Sequence, residues 1–196
     1  MSGPEAVGGG AREPLSKVIL PHRVQVFLVR QGEHGLEFLL GHRTSGVFLG
    51  QWSALGGGLE GNETTRQAAI REVREEGGVE LKDKDLIFFR RTHTSIIEQQ
   101  DGIRVISRKI PIVAYVVWAD NLNPFNNSPQ EHDQLKWVNP TDTDVLLNQV
   151  KQGMKATTED EEFFMPDIIA FSTLDTMLKI ATSQFANGRK GQINYR

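Results

Sequence analysis

Hydrophobic positions first alternate in RVQVFLVR, residues 23–30, where Val24, Val26 and Leu28 interleave with Gln25, Phe27 and Val29. A period of two sends successive side chains to opposite faces of a strand, and here both faces are mostly apolar, as in a strand covered on both sides. The run predicts a central strand. LEFLLGHR (36–43) follows after QGEHG, which reads as a hairpin turn, and QWSALGG (51–57) reads as a short strand running into glycines. The period becomes helical over 63–76. Two long β-rich runs come next, DLIFFRRTHTSIIEQ (85–99) and RVISRKIPIVAYVVWAD (104–120), joined at QDG as a long hairpin. Pro111 has no N–H to give a ladder, so it predicts an edge, a bulge or a break in the second run.

NLNPFNNSPQ (121–130) is a polar loop and LKWV (135–138) a last short strand. NPTDTDVLLNQVK opens a helix with Thr or Asp caps available. In PDIIAFSTLDTMLKIATSQF (166–185), Ile169, Leu174, Met177, Leu178 and Ala181 keep helical spacing, and Pro166 suits a first helical turn. A mixed sheet with a few helices results, either α+β or a three-layer α/β/α sandwich. Residues 1–14 are rich in Gly and Pro and read as a flexible tail. Residues 15–150 hold the domain, and 151–196 read as a helical extension packed on it; no internal repeat is evident.

Composition narrows the partners. The chain has 196 residues, 38% of them hydrophobic, and a net charge of −3, so no global basic field exists to hold duplex nucleic acid by its phosphates. An anionic ligand would need local attraction. Cysteine is absent, which removes disulfides and thiol catalysis. No apolar run approaches the ~20 residues that span a bilayer, and the N-terminus lacks secretory and transit patterns. A soluble cytoplasmic protein that does not enter membranes is the expectation.

The chemistry concentrates in GGGLEGNETTRQAAIREVREEGGVE, residues 56–80. At about 100° per residue, Glu75 and Glu76 fall about 60° and 40° to either side of Glu72, so three carboxylates share one helix face. Thr65, Ala68 and Ala69 lie on that face too, while Ile70 and Val73 lie on the flank that predicts core packing. Arg71 is four residues before Glu75, within ion-pair reach. Carboxylates this close are tolerated when solvated or when they hold a cation, and hard cations such as Mg²⁺ and Mn²⁺ take such oxygens. A solvated acidic face is the alternative reading. Gly56, Gly57 and Gly58 permit a loop to approach the helix closely and offer a carbonyl to the same ion. Glu63 stands at the helix start, where the macrodipole favours negative charge.

Gly57, Glu63, Arg71, Glu72, Val73, Glu75, Glu76, Gly78 and Val79 fall on every fixed position of the spacing G-x5-E-x7-R-E-U-x-E-E-x-G-U, with U apolar. The segment resembles the Nudix box, and the surrounding strand order and the tryptophan-containing GQWSALGGG look like a Nudix domain from about residue 20 to 150. The resemblance implies an α/β/α sandwich with a mixed sheet and Mg²⁺-dependent hydrolysis of a nucleoside diphosphate linked to another group X, with Mn²⁺ as a substitute. It implies that Glu72, Glu75 and Glu76 ligate metal together with the carbonyl of Gly56 or Gly57. Arg71 would orient the glutamates and Glu63 would support the site. A carboxylate would accept the proton of the attacking water. Glu72 and Glu76 are candidates, as are Glu98 and Glu131 outside the box, with Glu131 ranked ahead of Glu98.

Substrate recognition lies outside the box. Arg43 and Arg108 are the phosphate-binding candidates chosen from the strand arginines, whose forks match phosphate oxygens. Trp52 is the stacking candidate, with Phe48 and Phe125 behind it, whereas Phe27 and Trp137 read as core. Asn123, Asn126 and Asn127 could read base edges but first of all mark a loop. The accessory markers of ADP-ribose, dinucleoside polyphosphate and NADH hydrolases are missing near THTSII (92–97). A nucleoside triphosphate, including oxidised or noncanonical ones, or a nucleotide sugar remains. The competing reading is a Nudix-fold module that binds nucleotide, RNA or protein without turnover. The complete glutamate set argues against it. A homodimer is compatible with either reading.

Overall fold

The computed structural model describes residues 22–45, 49–100, 103–142 and 169–183. Strands β1 (Arg23–Gly32), β2 (Gly35–Arg43), β3 (Trp52–Ser53), β4 (Ile87–Gln100), β5 (Ile103–Trp118) and β6 (His132–Val138) form one mixed sheet. Helices α1 (Thr65–Gly77) and α2 (Phe171–Thr182) flank it. The path is β3-β2-β1-β5-β4, with β6 also paired to β2. β1 runs parallel to β5 and antiparallel to β2, so it is central, as its two apolar faces predict.

The two faces of β1 part into two cores. Val24, Val26 and Leu28 pack with Ala68, Ala69 and Val73 of α1. Phe27 and Val29 pack with Met177 and Ile180 of α2. This is the three-layer sandwich. Phe27 is fully buried and Trp137 packs on the α1-side core, as expected of core residues.

β1 and β2 are paired only from Val29↔Phe38 to their turn. Beyond that they separate, and the segment 52–58 fills the gap. It joins β2 through Trp52 and Ser53, and joins β1 by bridges at Leu55 and Gly58. The glycine loop is thereby held in the plane of the sheet, directly under α1. β5 passes through Pro111 without a bulge there; Pro111 faces His93 of β4 and stands one residue before the β1 ladder begins at Ile112. Of the three outcomes the proline allowed, the locally free edge is the one realised.

α1 begins two residues later than the periodicity suggests. Thr64 is its cap: the Thr64 hydroxyl accepts from the Gln67 N–H at 3.2 Å and the Thr64 N–H donates to Gln67 Oε1 at 2.8 Å. This reciprocal pair satisfies orphan groups of the first turn. At the other end Gly78 takes the left-handed conformation at φ 64° and donates to the Arg74 carbonyl. α2 begins at Phe171 rather than at 166, and Pro166 lies outside the described residues, as do the tail 1–14 and the helix expected after Asn139 beyond Asp142. No helix among the described residues is long and apolar enough to cross a membrane.

Thr64→Ala removes one half of the capping box. We expect a loss of about 1 kcal/mol in unfolding free energy, seen as a lower urea midpoint at unchanged m-value. An unchanged midpoint would show that packing alone sets the start of α1.

Candidate active site

α1 turns Glu72 and Glu76 inward, on the stripe that also carries Ala68, Ala69 and Val73. Glu76 is 1% exposed and Glu72 7%, whereas the side chain of Glu75 is 48% exposed. The separate packing and carboxylate stripes expected from the helical wheel are therefore one stripe, and a solvated acidic face does not describe Glu72 or Glu76. The physical reason is that the neighbouring layer here is a backbone loop with donors to offer.

Two groups hold Glu76 and a third stands near it. The Gly56 N–H donates to Oε2 at 2.7 Å, Arg43 Nη1 donates to Oε1 at 3.1 Å, and His132 Nδ1 lies 3.8 Å from Oε1. Two glycines make room for this. A Cβ on Gly56, which has φ 140°, would collide with the Val24 carbonyl, and one on Gly41 would collide with the buried His132 ring. A Cβ on Gly57 would likewise strike the carboxylate of Glu72. The loop thus lies against both inward glutamates, as its glycines suggested. The Gly57 carbonyl accepts from the Val24 N–H at 2.9 Å, so one of its lone pairs is committed to the sheet.

Arg71 gathers the remaining acids. Its guanidinium donates to both oxygens of Glu63 at 2.7 and 3.2 Å, to Glu72 and Glu75 at 3.0 Å each, and to the Gly58 carbonyl at 2.9 Å. Glu63 precedes the cap rather than starting the helix, and it also accepts from the Glu60 N–H. The hydrogen bonds from Arg71 hold the Glu63 carboxyl below the usual range, and those to Glu63 foremost hold the guanidinium of Arg71 in its charged form.

The loop 121–130 sets the other wall. It satisfies the last carbonyls of α1: Phe125 N–H donates to Gly77, Asn127 N–H to Glu76, and the Asn127 side chain to Arg74. Asn126 donates to the His132 carbonyl at 2.7 Å. Asn126 and Asn127 therefore serve the backbone of the site. Clamped in this way, the loop delivers Glu131, 43% exposed, to Arg43 Nη2 at 3.4 Å, while Nη1 of the same guanidinium meets Glu76. The negative charge of Glu131 raises the carboxyls of Glu72 and Glu76.

The other candidates disperse. Trp52 leans on His42 with ring centroids 5.1 Å apart, packs toward α2, and accepts the Ala170 N–H on its carbonyl. Phe125 is exposed and covers Gly78. The side chains of Arg108 and Glu98, and Phe48 altogether, lie outside the described residues. Arg23, His132 and the α1 clamp were missed by sequence reasoning. Arg23 opens an apolar strand, and nothing local to either residue signals its neighbours.

Burial raises both inward carboxyls, Glu76 to about 8. Burial also lowers His132 to about 4. Among the described residues no three acidic or imidazole side chains converge on one point, because Arg71 and Arg43 occupy the carboxylates. The donor set nevertheless fits a hard divalent cation: buried carboxylates whose charge is under-compensated, beside a glycine backbone with no side chain in the way.

The sign of a pH effect follows. The buried His132 stays neutral in the fold, so it costs stability only below about 6.5, where the unfolded imidazole gains a proton. Glu76 keeps its proton to about 8 in the fold while the unfolded carboxyl loses it near 4.5. Metal-free protein is therefore expected to lose stability from pH 6.5 to 8, and Mn²⁺ affinity to rise over the same interval. Urea unfolding in EDTA and Mn²⁺ titration across this range check both. A slope unaltered by Glu76→Gln would assign it elsewhere.

Comparison with known proteins gives three results. A family model described as NUDIX domain matches residues 20–160. Nucleoside triphosphatase NudI of Enterobacter sp. (strain 638) is 54% identical over 37 residues, which are 19% of this chain and 26% of that protein, so the match spans about a quarter of the relative's length. Among solved structures, the NUDIX domain of Shewanella oneidensis NrtR complexed with ADP ribose has a TM-score of 0.56 at 18% identity, covering 86% of this chain and 90% of that one. A MutT/nudix family protein from Enterococcus faecalis has a TM-score of 0.51 at 19% identity, covering 64% and 46%.

Proposed function

The chain belongs to the NUDIX domain family, and from that premise we propose that it is a divalent-metal-dependent pyrophosphohydrolase. It would cleave a nucleoside diphosphate linked to X and release a nucleoside monophosphate. The observation that carries this reading is the inward pair Glu72 and Glu76, buried beside the glycine loop and braced by Arg71 and Arg43. A fold without use for these carboxylates would be more stable with apolar residues there.

Glu72, Glu75 and Glu76, with the Gly56 or Gly57 carbonyl, are the residues that would hold Mg²⁺ or Mn²⁺. Such an ion supplies charge neutralisation of the pyrophosphate and a bound water of lowered pKa. The chain supplies the rest. Arg71 fixes Glu72 and Glu75 relative to the loop through its bond to the Gly58 carbonyl. Arg43 fixes Glu76 and points Glu131 at the same space. Glu131 is the residue we assign to take the proton from the attacking water, since it has solvent access and comes from an element separate from α1. Oxygen of that water then bonds to phosphorus as the bridging P–O bond breaks. The nucleoside triphosphatase NudI, similar over a short stretch, makes nucleoside triphosphates the first substrates to test.

A phosphate-release screen over nucleoside triphosphates, oxidised deoxynucleotides, nucleotide sugars, dinucleoside polyphosphates and capped RNA tests this. Activity should require Mg²⁺ or Mn²⁺ and vanish in EDTA. Glu131→Gln should lower kcat by about 10²-fold or more while Mn²⁺ affinity is retained, and Glu76→Gln should lower both. No turnover of any substrate, with Glu76→Gln binding Mn²⁺ like the wild type, would falsify the enzyme reading.

A further inference from the structure

His132 enters the site as a fixed object. Its side chain is completely buried. The backbone is pinned on both sides of the ring: the His132 N–H donates to the Ser128 carbonyl at 3.0 Å, and the His132 carbonyl accepts from Asn126 at 2.7 Å. The ring lies across β2 at Gly41, where any Cβ would collide with it. A glycine inside a strand weakens the strand, so seating this ring has a cost.

The ring's proton can be placed. Nε2 lies 3.4 Å from Arg43 Nη1. A guanidinium donates and cannot accept, so Nε2 has to present its lone pair there. An imidazolium would set two cations against each other in a buried place, so the ring is neutral. Its one proton therefore sits on Nδ1. That nitrogen lies 3.8 Å from Glu76 Oε1 and has no hydrogen-bond partner. The separation is about 1 Å longer than a normal N–H···O bond. A buried N–H without an acceptor is a second cost, which an apolar side chain would avoid.

Both costs have a return if Glu76 uses that donor in another state. Arg43 Nη1 now donates to Oε1. A divalent cation at the carboxylates would repel the guanidinium and weaken this bond. We propose that His132 is the positioning residue of Glu76, whose Nδ1–H takes Oε1 when a divalent cation displaces Arg43 from it. The ring is held by the backbone of β6 and by Gly41, so the carboxylate is the partner that closes the gap. The Gly56 N–H keeps Oε2, and a carboxylate with two donors still has lone pairs for an ion. Glu76 is thereby handed from a long side chain to a stiff one. This rests on the divalent-metal reading of the site.

The test uses the full chain with ¹⁵N-labelled histidine, the His132 signals being identified by their loss in His132→Leu. Long-range ¹H–¹⁵N spectra should show the Nδ1–H tautomer, and Mg²⁺ should move the Nδ1 proton downfield as its bond to Glu76 forms. An Nε2–H tautomer, or an Nδ1 proton that Mg²⁺ leaves in place, overturns the proposal. Mn²⁺ affinity, read from the electron-spin signal of the free ion, gives a second arm. His132→Leu should weaken Mn²⁺ binding about tenfold or more. Its metal-free urea midpoint at mildly alkaline pH should hold or rise, because an orphaned donor has gone. His132→Asn should recover most of the affinity, since its amide N–H stands close to the place of Nδ1, and His132→Gln should not. A His132→Leu protein that binds Mn²⁺ like the wild type, or a loss of affinity that follows a falling urea midpoint, overturns the proposal and leaves the enzyme reading standing. Wild-type protein that binds no Mn²⁺ overturns both.

Discussion

The fold is organised around a carboxylate that ought not to be buried. Glu76 has lost nearly all contact with solvent, and a buried ionised carboxylate is tolerated only with close and specific compensation. Each neighbour reads as a consequence. Gly56 must be glycine because its backbone has positive φ and touches Val24. Gly41 must lack a side chain for the His132 ring to stand behind Glu76. Arg43 has to leave solvent to reach it. That the carboxyl is still raised to about 8 shows that this compensation is incomplete, and a fully compensated carboxylate would have little use for a cation.

The supporting geometry comes from two backbone arrangements. The parting of β1 from β2 admits segment 52–58 into the sheet, so the Gly56 N–H and the Gly57 carbonyl are positioned by ladder hydrogen bonds instead of by a free loop. The C-terminal carbonyls of α1 are answered by Phe125 and Asn127. A helix end needs such partners in any fold. Here the partner segment continues directly into Glu131 and His132, so capping the helix also sets the distance from α1 to β6.

How much of this was legible in the sequence depends on range. Period-two and helical patterns are local, and they located β1, β2, α1 and the β4–β5 hairpin to within a few residues. The link from Arg71 to Glu75 is also local, being one helical turn. The inward turn of Glu72 and Glu76 was not legible, because a helical wheel assigns polar residues to solvent and cannot see a backbone loop with an N–H to offer. His132 stands beside Arg43 and Glu76 only because β6 pairs with β2, a contact between segments some ninety residues apart in the chain. The asparagines of 121–130 read as loop formers, and they are; that their loop caps a helix is a tertiary fact. Gln25 stands among the apolar residues of β1, and its partner Thr173 lies 148 residues away.

Charge balance ties these parts together. Six carboxylates, Glu60, Glu63, Glu72, Glu75, Glu76 and Glu131, share the region with four guanidiniums, Arg23, Arg43, Arg71 and Arg74. With every carboxyl ionised the cluster carries two uncompensated negative charges, which a single divalent cation would cancel. The guanidiniums do not share the acids evenly. Arg71 and Arg43 bond to them directly, whereas Arg23 pairs with none of them among the described residues. On the proposed function, a pyrophosphate would meet carboxylates compensated by a cation on one flank and the Arg23 guanidinium on the other. For a chain that is negative as a whole, the field an anion would meet here is set within a few ångströms by how these charges are shared, and in a half-buried region it is screened far less than the net surface charge.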